Sequence, residues 1–195
     1  MFLVRHGQSE WNAQGRWQGQ ADPPLSDAGR QEAELAAESL RDFTGHFFAS
    51  SLLRALQTAE VISAAVSDGT VMLCHDLREI DVGDFSGLTH HEIAERMPDA
   101  WAALQAGRLE AFPSGETREH FRLRVLGAIE SLWGRHPDDE IFVVTHGGAI
   151  AAIERHLGAH PGVGVRNLEG RWFEAKGSSL EVVSDRVKLV PDQES

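Results

Sequence analysis

The sequence predicts an α/β fold: a three-layer sandwich in which a mainly parallel sheet carries helices on both faces, with a small helical cap inserted. Short apolar runs, such as 1–5 and Ile141–Thr145, have the composition of strands that are buried on both faces. Segments with apolar residues at helical spacing alternate with these runs, as in sheets built from strand–helix–strand units. The length of 195 residues, without an internal repeat, predicts a single domain spanning 1–195.

In the first half of the chain the predicted elements alternate between strand and helix. Residues 1–5 are predicted to form the first strand, and 7–25, which contains glycines and a proline pair, to form a loop. We expect Ser26 to cap a helix that runs to about Phe43, because a serine hydroxyl can accept a free backbone N–H at a helix start. The next predicted elements are a strand at His46–Ala49, a helix at Leu52–Val66 capped by Ser50 or Ser51, and a strand at Val71–Leu73.

The second half of the chain is predicted to open with a loop at 76–88. Short helical patterns follow over 89–107, and we expect 89–112 to form a cap over the site that ligands occupy. A turn at Pro113–Gly115 then leads into a long helix from Thr117 to about Trp133. The last predicted elements are a strand at Ile141–Thr145, a helix at Ala149–Leu157, strands at Trp172–Ala175 and Ser179–Val183 in a hairpin around Gly177, and a frayed tail after Val190.

Composition and charge exclude several classes of protein. The formal net charge of −12 leaves no general basic surface for nucleic acid or for an anionic membrane, so neither is expected as a partner. A single cysteine, Cys74, excludes an internal disulfide and a cysteine-built zinc site. The apolar start Met1–Val4 is too short for a signal peptide or a membrane span, so a cytoplasmic protein is expected. The oligomeric state stays open, with a homodimer among the alternatives.

Charged and polar residues follow the predicted strands at the positions where ligands bind in parallel sheets, just beyond the carboxyl ends. Arg5 and His6 follow the first strand, Arg54 the second, Glu79 the third, and His146 the strand before the last helix. Each alone has an ordinary structural explanation, as a surface or core residue. Together they predict an anion site, because arginine binds phosphate oxygens in bidentate fashion and stays charged.

Seven motifs resemble, in order along the chain, those of the histidine phosphatase superfamily, the phosphoglycerate mutase-like proteins. An Arg-His-Gly triplet alone would be a weak signal, but the ordered set is specific. The resemblance fades after about residue 158. The motifs are Leu3–Asn12, Gly15–Gly19, Pro24–Gly29, Ser50–Ala59, Leu77–Gly87, Pro113–Thr117 and Val143–Gly148.

The resemblance implies roles for individual residues. His6 would be the nucleophile that becomes phosphohistidine, and Glu79 would protonate the leaving oxygen and then activate water. Arg5, Arg54 and His146 would share in catalysis by stabilising the transferred group. No metal and no cofactor is expected, because cationic side chains would take the role that a metal ion has elsewhere. The residues implied to contact the phosphate are Arg5, Asn12, Gln18, Arg54, His146 and Gly147.

Three functions are compatible with these residues. The favoured one is a phosphomonoester hydrolase acting on a small phosphorylated metabolite. A cofactor-dependent phosphoglycerate mutase is the alternative, but the branch with that activity carries a longer basic insert where this chain has 80–112, and usually glutamate where this chain has Gln8. The third, a non-catalytic phospho-ligand-binding module, is disfavoured because every expected catalytic residue is present.

The substrate is the least determined part of the interpretation. Four apolar residues are interpreted as the core of the small helical cap, with an apolar entrance to the site as the alternative. They are Met97, Trp101, Leu104 and Phe112. Phosphoglycerate, sugar phosphates, the phosphorylated nucleoside of the cobalamin pathway and phosphoamino acids all stay open as substrates.

Overall fold

A computed structural model describes residues 1–159, 164–176 and 179–190. Within these residues there are seven strands: β1 (Phe2–Arg5), β2 (His46–Ser50), β3 (Val71–Cys74), β4 (Ile141–Thr145), β5 (Glu169–Lys176), β6 (Ser179–Val182) and β7 (Val187–Lys188). The seven α-helices are α1 (Glu10–Ala13), α2 (Asp27–Glu38), α3 (Leu53–Val66), α4 (His90–Arg96), α5 (Pro98–Gln105), α6 (Arg118–Arg135) and α7 (Gly147–His156). None of these helices has the length and apolar character that a membrane crossing requires.

The strands form one sheet in the order β3-β2-β4-β1-β5-β6, with β7 paired to β5. Strands β3, β2, β4 and β1 are parallel, whereas β5 runs antiparallel to β1. Arg5 lies opposite Thr145, and Ala49 lies opposite Val144, so the carboxyl ends of the central strands meet at one edge. The predicted α/β fold with a mainly parallel sheet is confirmed.

Both faces of the sheet are buried, as the apolar strand sequences require. Alternate residues of a strand point to opposite faces, so Phe2 and Val4 join the core under α2 and α3. Leu3 and Val143 join a second core, which α6 and α7 cover. Helices therefore lie on both faces, and the central strands are held between two separate apolar layers.

Several predicted boundaries in the first half of the chain are wrong. The predicted loop 7–25 contains α1, whose start is stabilised by reciprocal hydrogen bonds between Ser9 and Asn12. Ser26 does cap α2, but the helix ends at Glu38. Helix α3 starts after Leu52 without a side-chain cap.

Later boundaries also differ from the predictions. The segment 76–88 contains single-turn helices at His75–Leu77 and Gly83–Phe85, and α6 continues to Arg135. Helix α7 starts at Gly147, directly after His146, and β5 and β6 pair as an antiparallel hairpin. The expected turn at Gly177 and the tail after Val190 lie outside the described residues.

Residues 89–112 fold into α4, α5 and the strand-like segment that follows them. Their apolar side chains form a third cluster, separate from the two sheet cores, around Phe85, Ile93 and Phe112. Met97, Trp101 and Leu104 pack against this cluster, although Leu104 and Phe112 also face the cavity described below. The four residues therefore act mainly as packing groups.

A buried ionic cluster connects α7 to the antiparallel part of the sheet. The Glu154 side chain is fully buried, and its carboxylate pairs with Arg171 at 3.0 Å and Arg186 at 2.6 Å. Leaving a buried charge without its partner costs several kcal/mol, so the three residues depend on one another.

We expect Glu154→Ala to lower the free energy of unfolding by about 3 kcal/mol, because two largely buried guanidinium groups lose their nearest carboxylate and keep the more distant Asp185 and Glu169. The matched control is Glu38→Ala, since Glu38 pairs with Arg41 in full contact with solvent, and an exposed pair contributes about 0–1 kcal/mol. Urea unfolding followed by circular dichroism measures both. Equal losses in the two variants would contradict the structural role of Glu154.

Candidate active site

His6 follows β1 and is almost fully buried, with 2% of its surface exposed. Its Nδ1 lies 2.6 Å from the Gly7 carbonyl oxygen, so Nδ1 carries the proton and donates it. The other ring nitrogen, Nε2, accepts a hydrogen bond from Arg54 Nε at 3.1 Å. Burial, and then the charges of Arg54 and Arg5, hold the pKa of His6 well below its ordinary value of 6.5. His6 is therefore a neutral imidazole with the lone pair on Nε2.

Three neighbouring groups hold the His6 backbone in place. The Asn167 side chain donates to the His6 carbonyl oxygen at 2.8 Å, and the Gly7 N–H donates to Thr58 Oγ1 at 3.0 Å. A Cβ at position 7 would lie 2.8 Å from the Gly29 carbonyl oxygen, so the residue after His6 must be glycine. The imidazole thus stands on a fixed segment of backbone.

Arg54, in the first turn of α3, places its guanidinium against His6. Its two terminal nitrogens donate to the carbonyl oxygens of Ala21 at 2.8 Å and Gly19 at 2.9 Å. Burial lowers the pKa of Arg54 to about 10, against the opposing charge of Glu79, so the group stays cationic at neutral pH. No carboxylate neutralises it by direct contact among the described residues, and its charge faces the site.

Arg5, the last residue of β1, is held in a similar way. Its guanidinium donates to the Val165 carbonyl oxygen at 2.7 Å. Burial lowers the pKa of Arg5, and the nearby carboxylates of Glu79 and Glu169 oppose that effect. Two guanidinium groups therefore converge on the open side of His6.

Glu79 lies across the site on the loop after β3. Its carboxylate accepts hydrogen bonds from the Gly148 N–H and the Ile80 N–H, both at 2.9 Å. Gly148 belongs to the first turn of α7, and any side chain at that position would overlap the Glu79 carboxylate. The carboxylate is thereby fixed beside the amino end of a helix.

Arg124, on α6, holds the Glu79 loop and was not predicted from the sequence. It donates to the carbonyl oxygens of Asp76 at 2.7 Å and Arg78 at 2.9 Å, and pairs with Glu116 at 2.8 Å. Burial tends to raise the pKa of Glu116, but the hydrogen bond and charge of Arg124 outweigh it and keep that pKa below its ordinary value. The available signal was a charged residue beside the apolar stripe of α6 that starts at Phe121.

His146 follows β4 and has no exposed surface. Its Nε2 lies 2.7 Å from Ser50 Oγ, and its ring centre is 5.2 Å from that of His6. Its Nδ1 is buried and has no hydrogen-bond partner among the described residues. Burial, followed by the charges of Arg54, His6 and Arg5, keeps the pKa of His146 well below 6.5.

The prediction that Ser50 or Ser51 caps α3 is wrong, and the position of Ser50 explains why. Ser50 ends β2, and its hydroxyl contacts His146 and accepts from the Leu52 N–H at 3.3 Å. Its position at a strand end was the signal for a place in the site. Val165 and Asn167 gave no such signal, because one contributes a backbone carbonyl and both lie beyond the predicted motifs.

A cavity of about 860 Å³ lies at this edge of the sheet. Of the predicted site residues, all but His146 line it. Gln18 is tied by its Oε1 to the Ser9 hydroxyl at 2.8 Å, and Asn12 accepts at its Oδ1 from Asn167 at 3.4 Å. The predicted residues that line the cavity are Arg5, His6, Asn12, Gln18, Arg54, Glu79 and Gly147.

The part of the cavity formed by α6 and α7 carries three arginines, Arg118, Arg122 and Arg155. Arg122 is paired with Glu119 at 2.7 Å, and Arg118 donates to the Leu109 carbonyl oxygen. Within the described part of the chain Arg155 has no carboxylate in contact. Burial, and then the like charge of Arg118, lower its pKa. This wall of the cavity thus carries three arginines against the two carboxylates of Glu110 and Glu119.

Comparison with known proteins agrees with this geometry. A family model described as histidine phosphatase superfamily (branch 1) matches residues 1–190, well beyond the point near 158 where the resemblance was expected to fade. Phosphoglycerate mutase-like protein 4 of Arabidopsis thaliana is 37% identical over 157 residues, which are 78% of this chain and 68% of that protein. Glucosyl-3-phosphoglycerate phosphatase of Mycobacterium tuberculosis is 34% identical over 208 residues, covering 97% of this chain and 92% of that one.

A solved structure extends the similarity to three dimensions. Bacillus stearothermophilus YhfR superposes with a TM-score of 0.82 at 30% identity, over 93% of each chain. The match includes the sheet, and the family model covers every predicted site residue. The chain therefore belongs to the histidine phosphatase superfamily, branch 1, and is a phosphatase of the phosphoglycerate mutase-like family.

Proposed function

We propose that the protein hydrolyses phosphomonoesters of small metabolites in two steps, through a phosphohistidine on His6. The observation that carries this proposal is the protonation state of His6. Its Nδ1 proton is committed to the Gly7 carbonyl, while its Nε2 lone pair faces the cavity region between Arg54 and Arg5. A neutral imidazole beside two cations is suited to attack a dianionic phosphate.

In the first step the incoming phosphate takes the hydrogen bond that Arg54 Nε gives to His6 in the free protein. The Nε2 lone pair then forms a bond to phosphorus, and the bond from phosphorus to the ester oxygen breaks. Glu79, in its protonated form, gives its proton to that oxygen, so the product leaves as a neutral alcohol. The phosphoryl group stays on His6.

Charge on the phosphoryl oxygens is stabilised by fixed positive groups. Arg5 and Arg54 supply two guanidinium groups, and the amino end of α7 at Gly147 adds backbone N–H donors. His146 supplies a further donor: when the Ser50 hydroxyl donates to its Nε2, the proton lies on Nδ1, the nitrogen that has no partner within the described part of the chain. A phosphoryl group on the neighbouring His6 would provide that partner. Asn12 contributes its amide.

In the second step water replaces the alcohol. Glu79, now ionised, accepts a proton from water as the water oxygen attacks phosphorus, and the bond between phosphorus and Nε2 breaks. Inorganic phosphate leaves, and His6 and Glu79 return to their starting states. The arginines supply the charge stabilisation throughout, so the reaction needs no metal. We expect the protein to work in the cytoplasm.

Water is favoured over a second metabolite as the acceptor. In the proposed arrangement α4 and α5 act as a small cap, with His90, Leu104 and Phe112 facing the cavity. Gln8, one of the two departures from the mutase pattern, is bound to the Ser26 hydroxyl at 2.8 Å and does not line the cavity. A short cap with few basic residues is poorly suited to retain a bisphosphorylated intermediate.

The substrate is proposed to carry a carboxylate close to the phosphate ester. A phosphate alone fills a small part of a cavity of 860 Å³, and Arg118 and Arg155, which do not pair with a carboxylate in direct contact among the described residues, offer a second anion site. The name of the relative glucosyl-3-phosphoglycerate phosphatase denotes a substrate of this chemical type.

We expect His6→Ala to abolish hydrolysis of an aryl phosphate, because the variant has no atom that can accept the phosphoryl group. Retained hydrolysis in His6→Ala would refute the mechanism. His75→Ala is the matched control, since His75 is exposed and outside the cavity. Rapid acid-free quenching followed by mass spectrometry of the intact protein should detect the phosphoprotein in the wild type and in His75→Ala only.

Stability should fall with acidity, because His6 and His146 are neutral when folded but protonate near pH 6.5 when unfolded. Below pH 6.5 the unfolded chain binds more protons, so the free energy of unfolding drops by up to about 1.4 kcal/mol per pH unit for each imidazole. Above pH 6.5 the two histidines are neutral in both states, and their stabilising contribution is fully present. Urea unfolding measured between pH 8 and pH 5 should show that the free energy of unfolding declines less steeply with falling pH in His6→Ala than in His75→Ala. Identical dependences on pH in the two variants would contradict a lowered pKa for His6.

We expect Arg155→Ala to raise KM about tenfold for carboxylate-bearing phosphomonoesters such as phosphoserine or 3-phosphoglycerate, because one charged contact is lost. KM for an aryl phosphate that carries no carboxylate should stay the same. Arg96→Ala serves as the control, since Arg96 is an exposed cap residue that does not line the cavity. A parallel rise for both substrates would place Arg155 outside the carboxylate site.

A further inference from the structure

Two histidines and an aspartate meet at the edge of the sheet opposite the catalytic cavity. His46 is the first residue of β2, His136 follows the end of α6, and Asp139 lies just before β4. Asp139 Oδ2 is 3.3 Å from His46 Nε2 and 3.0 Å from His136 Nδ1. One ligand atom from each of the three residues lies within 4.8 Å of the other two.

The backbone presents these three side chains in a fixed arrangement. The His46 N–H donates to the Glu140 carbonyl oxygen at 2.9 Å, which continues the pairing of β2 with β4. The His136 ring packs against the ring of Phe48 at 5.4 Å and that of His46 at 4.8 Å. The convergence therefore comes from a strand start, a helix end and a short turn, all anchored to the sheet.

We propose that His46, His136 and Asp139 form a binding site for a divalent transition-metal ion of the zinc type. Two imidazole nitrogens and a carboxylate oxygen are a ligand set that zinc accepts, with bonds of about 2.0–2.2 Å. In a tetrahedral site such bonds place neighbouring ligand atoms about 3.3 Å apart. Two of the three separations in the cluster already have this size.

The third separation, between the ligand nitrogens of His46 and His136, can shorten because the side chains have room to rotate. His46 and Asp139 are 46% and 47% exposed, so their terminal atoms can shift and water can occupy the fourth position. Imidazole ligands disfavour Mg²⁺, which prefers oxygen. A neutral imidazole binds the ion through the nitrogen that carries no proton, so each ring would hold its proton on the nitrogen that faces away from the ion.

The position of the site indicates that a bound ion would stabilise the fold and take no part in hydrolysis. It connects the start of β2, the end of α6 and the turn into β4, whereas His6 and the cavity lie at the opposite ends of the same strands. An ion bound only to the folded protein raises its stability. Zn²⁺ should therefore raise Tm by several degrees while the hydrolysis rate of EDTA-treated protein equals that of untreated protein.

Calorimetric titration of the EDTA-treated full chain with Zn²⁺ tests the proposal, with Co²⁺ absorption as a second measurement. The wild type should bind one ion, and His46→Gln and Asp139→Asn should each lower the affinity at least tenfold. His91→Gln is the matched control, because His91 forms an exposed pair with Glu95 at 3.5 Å and has no third ligand among the residues that the structure describes. It should bind like the wild type.

One further variant, His6→Ala, separates this site from the catalytic histidines. Zn²⁺ bound at the cavity would be lost in His6→Ala and kept in His46→Gln; that result would overturn the proposal, as would the absence of binding to the wild type. Retained binding in His6→Ala supports it. Hydrolysis of an aryl phosphate by His46→Gln and Asp139→Asn at the wild-type rate shows that both variants are folded.

Discussion

The site depends on one electrostatic constraint: a neutral, buried imidazole must lie beside two buried guanidinium groups. Burial, and then the charges of Arg54 and Arg5, lower the pKa of His6, and the same two arginines prepare a place for a dianion. A buried cation normally requires a carboxylate partner. Here backbone carbonyls of Gly19, Ala21 and Val165 take that place. Carbonyl oxygens satisfy the N–H groups without cancelling the positive charge, which is left for the phosphate.

The parallel sheet is what brings these groups together. The carboxyl ends of β1, β2 and β4 lie side by side, and each delivers a polar residue to the same edge. Helix α7 starts there at once, so the Gly148 N–H reaches the Glu79 carboxylate. Tight backbone packing at Gly7 and Gly148 then excludes any side chain that would push the groups apart.

The strand-end rule and the ordered motifs were enough to predict the sheet, both helical layers and the main residues of the site. What they missed depends on long-range contacts. The carbonyl of Val165 holds Arg5 from a segment 160 residues away in sequence, and a carbonyl gives no side-chain signal. Ser50 has the chemistry of a helix cap, but the fold places it against His146. Local patterns cannot decide between two such partners for one hydroxyl.

The arginines of this acidic chain fall into two groups according to what satisfies them. Arg124 and Arg171 meet buried or nearly buried carboxylates and hold structural elements together. Arg5, Arg54 and Arg118 donate to carbonyl oxygens, and all three line the cavity. A net charge of −12 is thus compatible with a cationic site, because the cavity is lined by more arginines than carboxylates. By the same criterion Arg155, beside Arg118 and without a carboxylate in contact among the described residues, belongs with the arginines whose charge faces the cavity.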